Sequence, residues 1–181
     1  MTAFDGTHGR GLQVYRQIDK AVGWLSRAVA IAGGVILIAL VIMVCASITG
    51  RALIPLGLKP VSGDVELLEM GMAFAIFAFL PYCQYVRGHA RVDLFQATFG
   101  KVGNRFLDLI ADLGMAVAAV VIAWRLWLGM LDKKSYFETT FILQIEIWQA
   151  YAAAMLGAGT FVIVSLFCVW RSLKAMPGGG A

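Results

Sequence analysis

The sequence predicts an all-α integral membrane protein: four transmembrane helices behind an amphipathic N-terminal interfacial helix, with both termini cytoplasmic. Three observations lead there. Of the 181 residues, 60% are apolar and 14% charged, and the mean hydropathy is +0.80. An ordinary soluble domain is roughly 45–50% apolar and about 25% charged, so these charges are too few to cover a water-exposed surface. The charges also fall between apolar runs, each close to the roughly 20 residues that a spanning helix needs. Finally, Lys and Arg are divided unevenly between alternate connections, which sets an orientation.

Residues 1–27 form a cytoplasmic or interfacial amphipathic segment. Leu12, Tyr15, Ile18, Val22 and Leu25 recur at helical spacing, with Arg16, Gln17, Asp19 and Lys20 between them. A helix along the inner membrane surface satisfies this pattern, and so does a cytoplasmic extension of the first span. The following apolar run is too long for the core of a cleavable signal peptide, so it is expected to act as an uncleaved anchor. The membrane domain covers residues 28–173. Span one, about 28–50, has no charged residue and is apolar throughout from Val35 to Val44. Pro55, Gly57, Pro60 and Gly63 break any helix beyond it, and Asp64 is placed to cap span two, about 67–86. Pro81 should bend that span near its inner end. In the next connection Val92, Leu94, Phe95 and Phe99 suit a short interfacial turn started by Asp93, and Asn104 is placed to cap span three, about 106–131. Span four, about 141–170, is free of charge from Ile147 to Trp170, and residues 174–181 form a Gly-rich tail expected to be flexible.

On one side of the membrane lie Arg10, Arg16, Lys20 and Arg27, then Arg87, Arg91, Lys101 and Arg105, then Arg171 and Lys174. The opposite connections hold only Arg51, Lys59, Lys133 and Lys134. The richer side should be cytoplasmic, which places both termini there.

Several function classes are excluded. A net charge of +4 spread over separate connections gives no continuous basic stripe for nucleic acid. Cys45, Cys83 and Cys168 all lie in apolar runs without a CxxC pair, which implies neither a disulfide framework nor a zinc site. His8 and His89 lie outside the spans, so a di-haem protein is ruled out. No Ser-His-carboxylate set, Gly-rich phosphate loop or HExxH occurs. The chain is therefore expected to be no enzyme and to hold no cofactor.

The charges inside or near the spans are the candidate structural and assembly residues, because an ionised group in hydrocarbon is costly unless it is paired or snorkels. Glu66, Glu69, Arg125 and Glu146 fall in the outer third. Arg125 is six residues from Leu131, about 9 Å along a helix. It is expected either to snorkel or to pair with Glu69, the favoured partner, or with Glu146, locking spans two, three and four. At the inner face Asp108 and Asp112 are one turn apart near the start of span three, where the helix end and the local cations Arg87 and Arg105 compensate them. Beyond span two, Arg87 and Arg91 anchor topology and suit lipid headgroups, whereas His89 and Asp93 add no fixed positive charge and suit a turn held by a hydrogen bond. Small residues at Ala150, Ala153, Ala154, Gly157 and Ala158, and at Ala30 with Gly34, offer faces for close helix approach.

The order of these features carries a resemblance. The first span ends near Arg51, a Pro/Gly loop follows, and span two has the acidic start Asp64-Val65-Glu66-Leu67-Leu68-Glu69. Arg87-Gly88-His89-Ala90-Arg91-Val92-Asp93 comes after it, and Glu138-Thr139-Thr140 leads through to Ile147-Trp148-Gln149-Ala150-Tyr151. From Tyr15 to Leu173 the chain resembles the small membrane subunit, the DctQ type or Q subunit, of tripartite ATP-independent periplasmic (TRAP) transporters. Glu146 departs from the pattern, since many members carry a proline there. The resemblance implies a scaffold in the bacterial inner membrane, in contact with membrane lipids and packed beside a large permease subunit (M type). That subunit would carry the substrate and sodium sites, and a periplasmic solute-binding protein (P type) would deliver an organic acid such as a C4-dicarboxylate. The alternative is a self-contained four-span exporter of the small multidrug-resistance kind. Such exporters use a glutamate in the first span, and span one here has no charge.

Overall fold

The computed structural model describes residues 6–88 and 96–174, with side chains from Tyr15 to Gly88 and from Phe106 to Lys174. Four helices follow in chain order: α1 (Gly6–Ala52), α2 (Asp64–Tyr85), α3 (Gln96–Ser135) and α4 (Ile147–Lys174). Each contains a stretch long and apolar enough to cross a membrane. Among the described residues there is no strand, only one isolated bridge between Thr139 and Glu146.

No proline precedes Pro55, and α1 accordingly runs unbroken for 47 residues, about 70 Å. The leading segment is thus an extension of the first span rather than a separate surface helix. Its apolar side packs on the neighbouring helix ends: Tyr15 lies against Phe167 and Trp170, and Val22 joins a buried group with Val164, Phe167 and Cys168. The helix ends in a 3-10 turn at Ile54–Leu56, closed by Gly57 at φ 86°.

The residue capping α2 is Gly63, at φ 77°, not Asp64. Leu143 lies over this glycine, and a Cβ there would stand 2.5 Å from the leucine Cγ. Asp64, freed from capping, turns toward α1. Helix α3 starts at Gln96, so Asn104 is inside it and caps nothing, and Asp108 and Asp112 are well beyond its first turn. Pro81 is buried within α2, which continues to Tyr85.

Helix α4 lies between α2 and α3, while α1 packs along the far side of α2 and approaches α4 less extensively; among the described residues the backbones of α2 and α3 do not approach closely. The helices thus stand in the spatial order α1, α2, α4, α3. Of the most apolar window of α4, 44% is buried, against 11–17% in the other three, which makes it the central helix. Small residues let it in. Ala154, Gly157 and Ala158 are buried, and a Cβ on Gly157 would meet the Phe77 backbone at 2.6 Å.

The α1/α2 contact has a seven-residue repeat on both helices. Ser26, Gly33, Leu40 and Ser47 are buried along α1. They run antiparallel to Tyr85, Ala78, Gly71 and Asp64 on α2. Leu40 covers Gly71, Gly33 abuts Ala78, and Ser47 bonds Asp64. A strict heptad suits a shallow left-handed crossing. The expected Ala30/Gly34 face is not the one used: a Cβ on Gly34 would meet nothing within 4 Å, whereas one on Gly33 would stand 2.7 Å from Ala78 Cβ.

Candidate functional site

The bundle has two ends: the terminal end, where α1 starts and α4 finishes, and the loop end, with the α1–α2 and α3–α4 connections. At the terminal end, α2 closes through paired hydrogen bonds. The Gly88 amide donates to the Cys83 carbonyl at 2.8 Å, and the Arg87 amide to the Gln84 carbonyl at 3.0 Å. This double closure needs a left-handed residue, a place glycine usually takes. Here Arg87 takes it, at φ 52°, an uncommon conformation for a residue with a Cβ.

The side chain of Arg87 is held by groups from α3 and α4. Its Nη1 contacts Asp108 Oδ2 at 3.1 Å and its Nη2 contacts Asp112 Oδ2 at 2.7 Å. Nη2 also donates to Ser172 Oγ, whose hydroxyl donates in turn to Asp112 Oδ2. Gln84 Nε2 donates to the other oxygen, Asp112 Oδ1, at 3.1 Å. Asp112 is 4% exposed, so this is a buried carboxylate given a cation and two neutral donors. Arg87 Nε is buried without an acceptor. A second layer flanks the cluster: Arg171 donates to the Tyr85 carbonyl, and Tyr85 Oη donates to the Asp19 carboxylate at 3.3 Å. The acidic pair of α3 is therefore compensated chiefly by Arg87 at the end of α2. One guanidinium at the end of α2 joins α3 and α4, and Gln84 adds a second link from α2 to α3.

The loop end is tied differently. Ser47 of α1 donates to Asp64, and Arg51 lies 3.7 Å from the same carboxylate. Both oxygens of Glu66 accept successive backbone amides of the α3–α4 connection, from Ile142 at 2.8 Å and Leu143 at 3.0 Å. Lys133 and Glu138 pair at 2.7 Å across the end of α3. Glu146 sits in the irregular lead-in to α4 and accepts from Trp148 Nε1 at 2.7 Å.

Of the candidates from sequence, Glu66 and Arg87 thus lie at the centres of the two ties. Arg125 is exposed and, among the described residues, forms no ion pair with Glu69 or Glu146. The reason is architectural: α4 separates α3 from α2, and Glu146 is engaged with Trp148. Glu69 is exposed on α2. His89, Arg91 and Asp93 lie outside the described residues. Sequence reasoning did not single out Ser47, Gln84 or Ser172. Each is a lone polar residue near the end of an apolar run, and that was the available signal. Among the described residues, no three His, Cys, Asp or Glu side chains come together as a metal site would require.

The fold and the placement of its charges define a multi-pass helical membrane protein. Residues 40–175 match the family described as Tripartite ATP-independent periplasmic transporters, DctQ component, and the chain belongs to that family. It is a small permease subunit of a TRAP transporter, a transport component, as the order of its sequence features implied. Comparison with curated proteins and with solved structures gives no match.

Proposed function

We propose that this subunit is a membrane scaffold with both termini in the cytoplasm of a bacterial cell. It packs against the large M-type permease subunit, which carries out sodium-coupled uptake of an organic acid such as a C4-dicarboxylate delivered by a P-type binding protein. The observation that carries this reading is where the charges go. Arg87, Asp112, Asp64 and Glu66 are engaged in ties between elements of this chain at the two ends. The outer helices meanwhile present apolar stripes: Ile31, Val35, Ile38 and Ile42 on α1, and Ile110, Leu113, Val117 and Val121 on α3. Such a chain supplies surface rather than a transport path.

The test is co-purification with the permease encoded beside it, followed by uptake in vesicles with and without this chain. Uptake should require both membrane chains, the binding protein and a sodium gradient. Proton-coupled drug efflux by the isolated chain would refute the scaffold reading.

A further inference from the structure

Among the described residues, Arg125 takes no part in these ties. Arg125 lies eight residues, about 12 Å, inward of Lys133 on α3. It is exposed, forms no ion pair among the described residues, and lines a shallow, open cleft of about 620 Å³ on the surface of α3, which runs past Gly129 to Asp132 and Ser135. Tyr151 of α4 lies against Gly129 there. The neighbouring cations are committed elsewhere, Lys133 to Glu138 and Lys134 over the Trp148 ring at 5.3 Å. Asp132 is exposed; its backbone carbonyl accepts from Ser135 and Tyr136, and its carboxylate lies within electrostatic reach of Lys133, which is bonded to Glu138. Among the described residues the cleft thus holds one cation without an ion pair and one carboxylate without a hydrogen-bonded partner.

We propose that this cleft binds a phospholipid with an ethanolamine headgroup, its phosphate on Arg125 and its ammonium on Asp132. The two residues are seven apart and so share a helix face, Asp132 nearer the water and Arg125 deeper. A lipid in that leaflet presents its groups in the same order: the ammonium outermost, the phosphate beneath it, the acyl chains toward the bilayer centre. Arg125 reaches outward by extending its stem, as basic side chains near span ends do, and its planar fork matches phosphate oxygens. Asp132 accepts hydrogen bonds from a primary ammonium, which a choline headgroup cannot donate, and it repels an anionic glycerol headgroup. Trp124 and Trp127, 67% and 51% exposed on the same helix, are the residue type that settles at this level of a bilayer.

Delipidated full-length chain in detergent, titrated with phosphatidylethanolamine, phosphatidylcholine or phosphatidylglycerol of matched acyl chains and read by native mass spectrometry, tests this. Phosphatidylethanolamine should bind about fivefold more tightly than phosphatidylcholine, the scale of one interfacial charge contact. Asp132→Asn should abolish that preference, and Arg125→Gln should weaken all three lipids. Both side chains are exposed, so the variants should unfold at the wild-type temperature, and Lys134→Gln should leave lipid binding unchanged. Equal binding of the ethanolamine and choline lipids, or a preference that survives Asp132→Asn, overturns the proposal. So does an Arg125→Gln variant that binds lipid normally but fails to co-purify with the permease, because the arginine would then serve a protein carboxylate.

Discussion

Replacing Arg87 by Met removes the guanidinium while keeping a flexible apolar stem, and it isolates what the terminal-end cluster contributes. Asp112 retains its bonds from Gln84 and Ser172 but loses its cation at 2.7 Å, with only 6% of its side chain exposed. Breaking a buried pair from one side costs about 3–5 kcal/mol, because the remaining charge is stranded. Asp108 is different. Its side chain is 42% exposed, so Asp108→Asn should cost at most about 1 kcal/mol. The left-handed backbone at Arg87 adds a second comparison: Arg87→Gly also deletes the guanidinium but relieves a strain of about 1 kcal/mol, so it should be the milder of the two. The double variant Arg87→Met/Asp112→Asn should cost clearly less than the two single losses added together. Reversible unfolding in mixed micelles, titrated with a denaturing detergent, gives these free energies. Loss of one arginine leaves the basic excess on that side large, so orientation should be unchanged, and a reporter fused at Gly179 checks it. Arg87→Met no costlier than Asp108→Asn, or strict additivity in the double, would show that the cluster does not hold the helices.

Three further outcomes are expected. Gly33→Leu and Gly157→Leu should each destabilise the bundle by about 1–3 kcal/mol or more, since Ala78 Cβ and the Phe77 backbone occupy the space. Gly34→Leu, whose Cβ would meet nothing within 4 Å, should be tolerated in the same unfolding assay. Glu66→Gln keeps one acceptor oxygen and loses the charge that binds two amides, so hydrogen exchange at Ile142 and Leu143 should accelerate by about tenfold or more while the centre of α4 is unaffected. Reporter fusions at Lys59 and Lys134 should read as periplasmic and those at Gly100 and Gly179 as cytoplasmic; a cytoplasmic signal at Lys134 would refute the proposed orientation.

The spans were legible because charge is so costly in hydrocarbon that its absence marks them, and span one, with no charge, lies wholly inside α1. Which face of a span is inside was much harder to read. In water, apolar periodicity points to the core, but here the exposed Val35, Ile38 and Ile42 are more apolar than the buried Ser26, Gly33 and Ser47. The inward face is instead marked by small and lone polar residues at seven-residue spacing, and the adjacent pair Gly33 and Gly34 allowed the wrong one to be chosen. The site was legible in part for a related reason. Arg87 and the acidic pair of α3 were visible as charges at the same end, and Arg87 is indeed one of the cations that compensate the pair, but the roles of Gln84 and Ser172 required knowing that α4 stands between α2 and α3 and carries Ser172 to the junction. The expected Arg125 contact failed on the same unknown, since shared depth in a bilayer does not imply adjacency.

The position of the ties follows from what the middle of the bundle lacks. Between lipid-embedded helices there is little hydrophobic drive, and close packing of small residues is the main attraction. A heptad made mostly of small residues is nearly degenerate: sliding α1 along α2 by seven residues would set Ser26 against Ala78, a contact similar in kind to the native Gly33–Ala78 one, though it would lift Leu40 from Gly71. The slip is forbidden at the ends. It would part Ser47 from Asp64 at the loop end and Tyr85 from Asp19 at the terminal end, leaving polar groups without their partners. In soluble coiled coils a single buried polar residue selects register at some cost in stability, and these end contacts act in the same way. Arg87 extends that logic to α3 and α4. As a basic residue just past α2 it favours the cytoplasmic side during insertion, and in the folded bundle its left-handed backbone accompanies the placement of the guanidinium on Asp108, Asp112 and Ser172. The charge that favours one side of the membrane for the end of α2 is thereby also the charge that sets how far α3 and α4 slide against it.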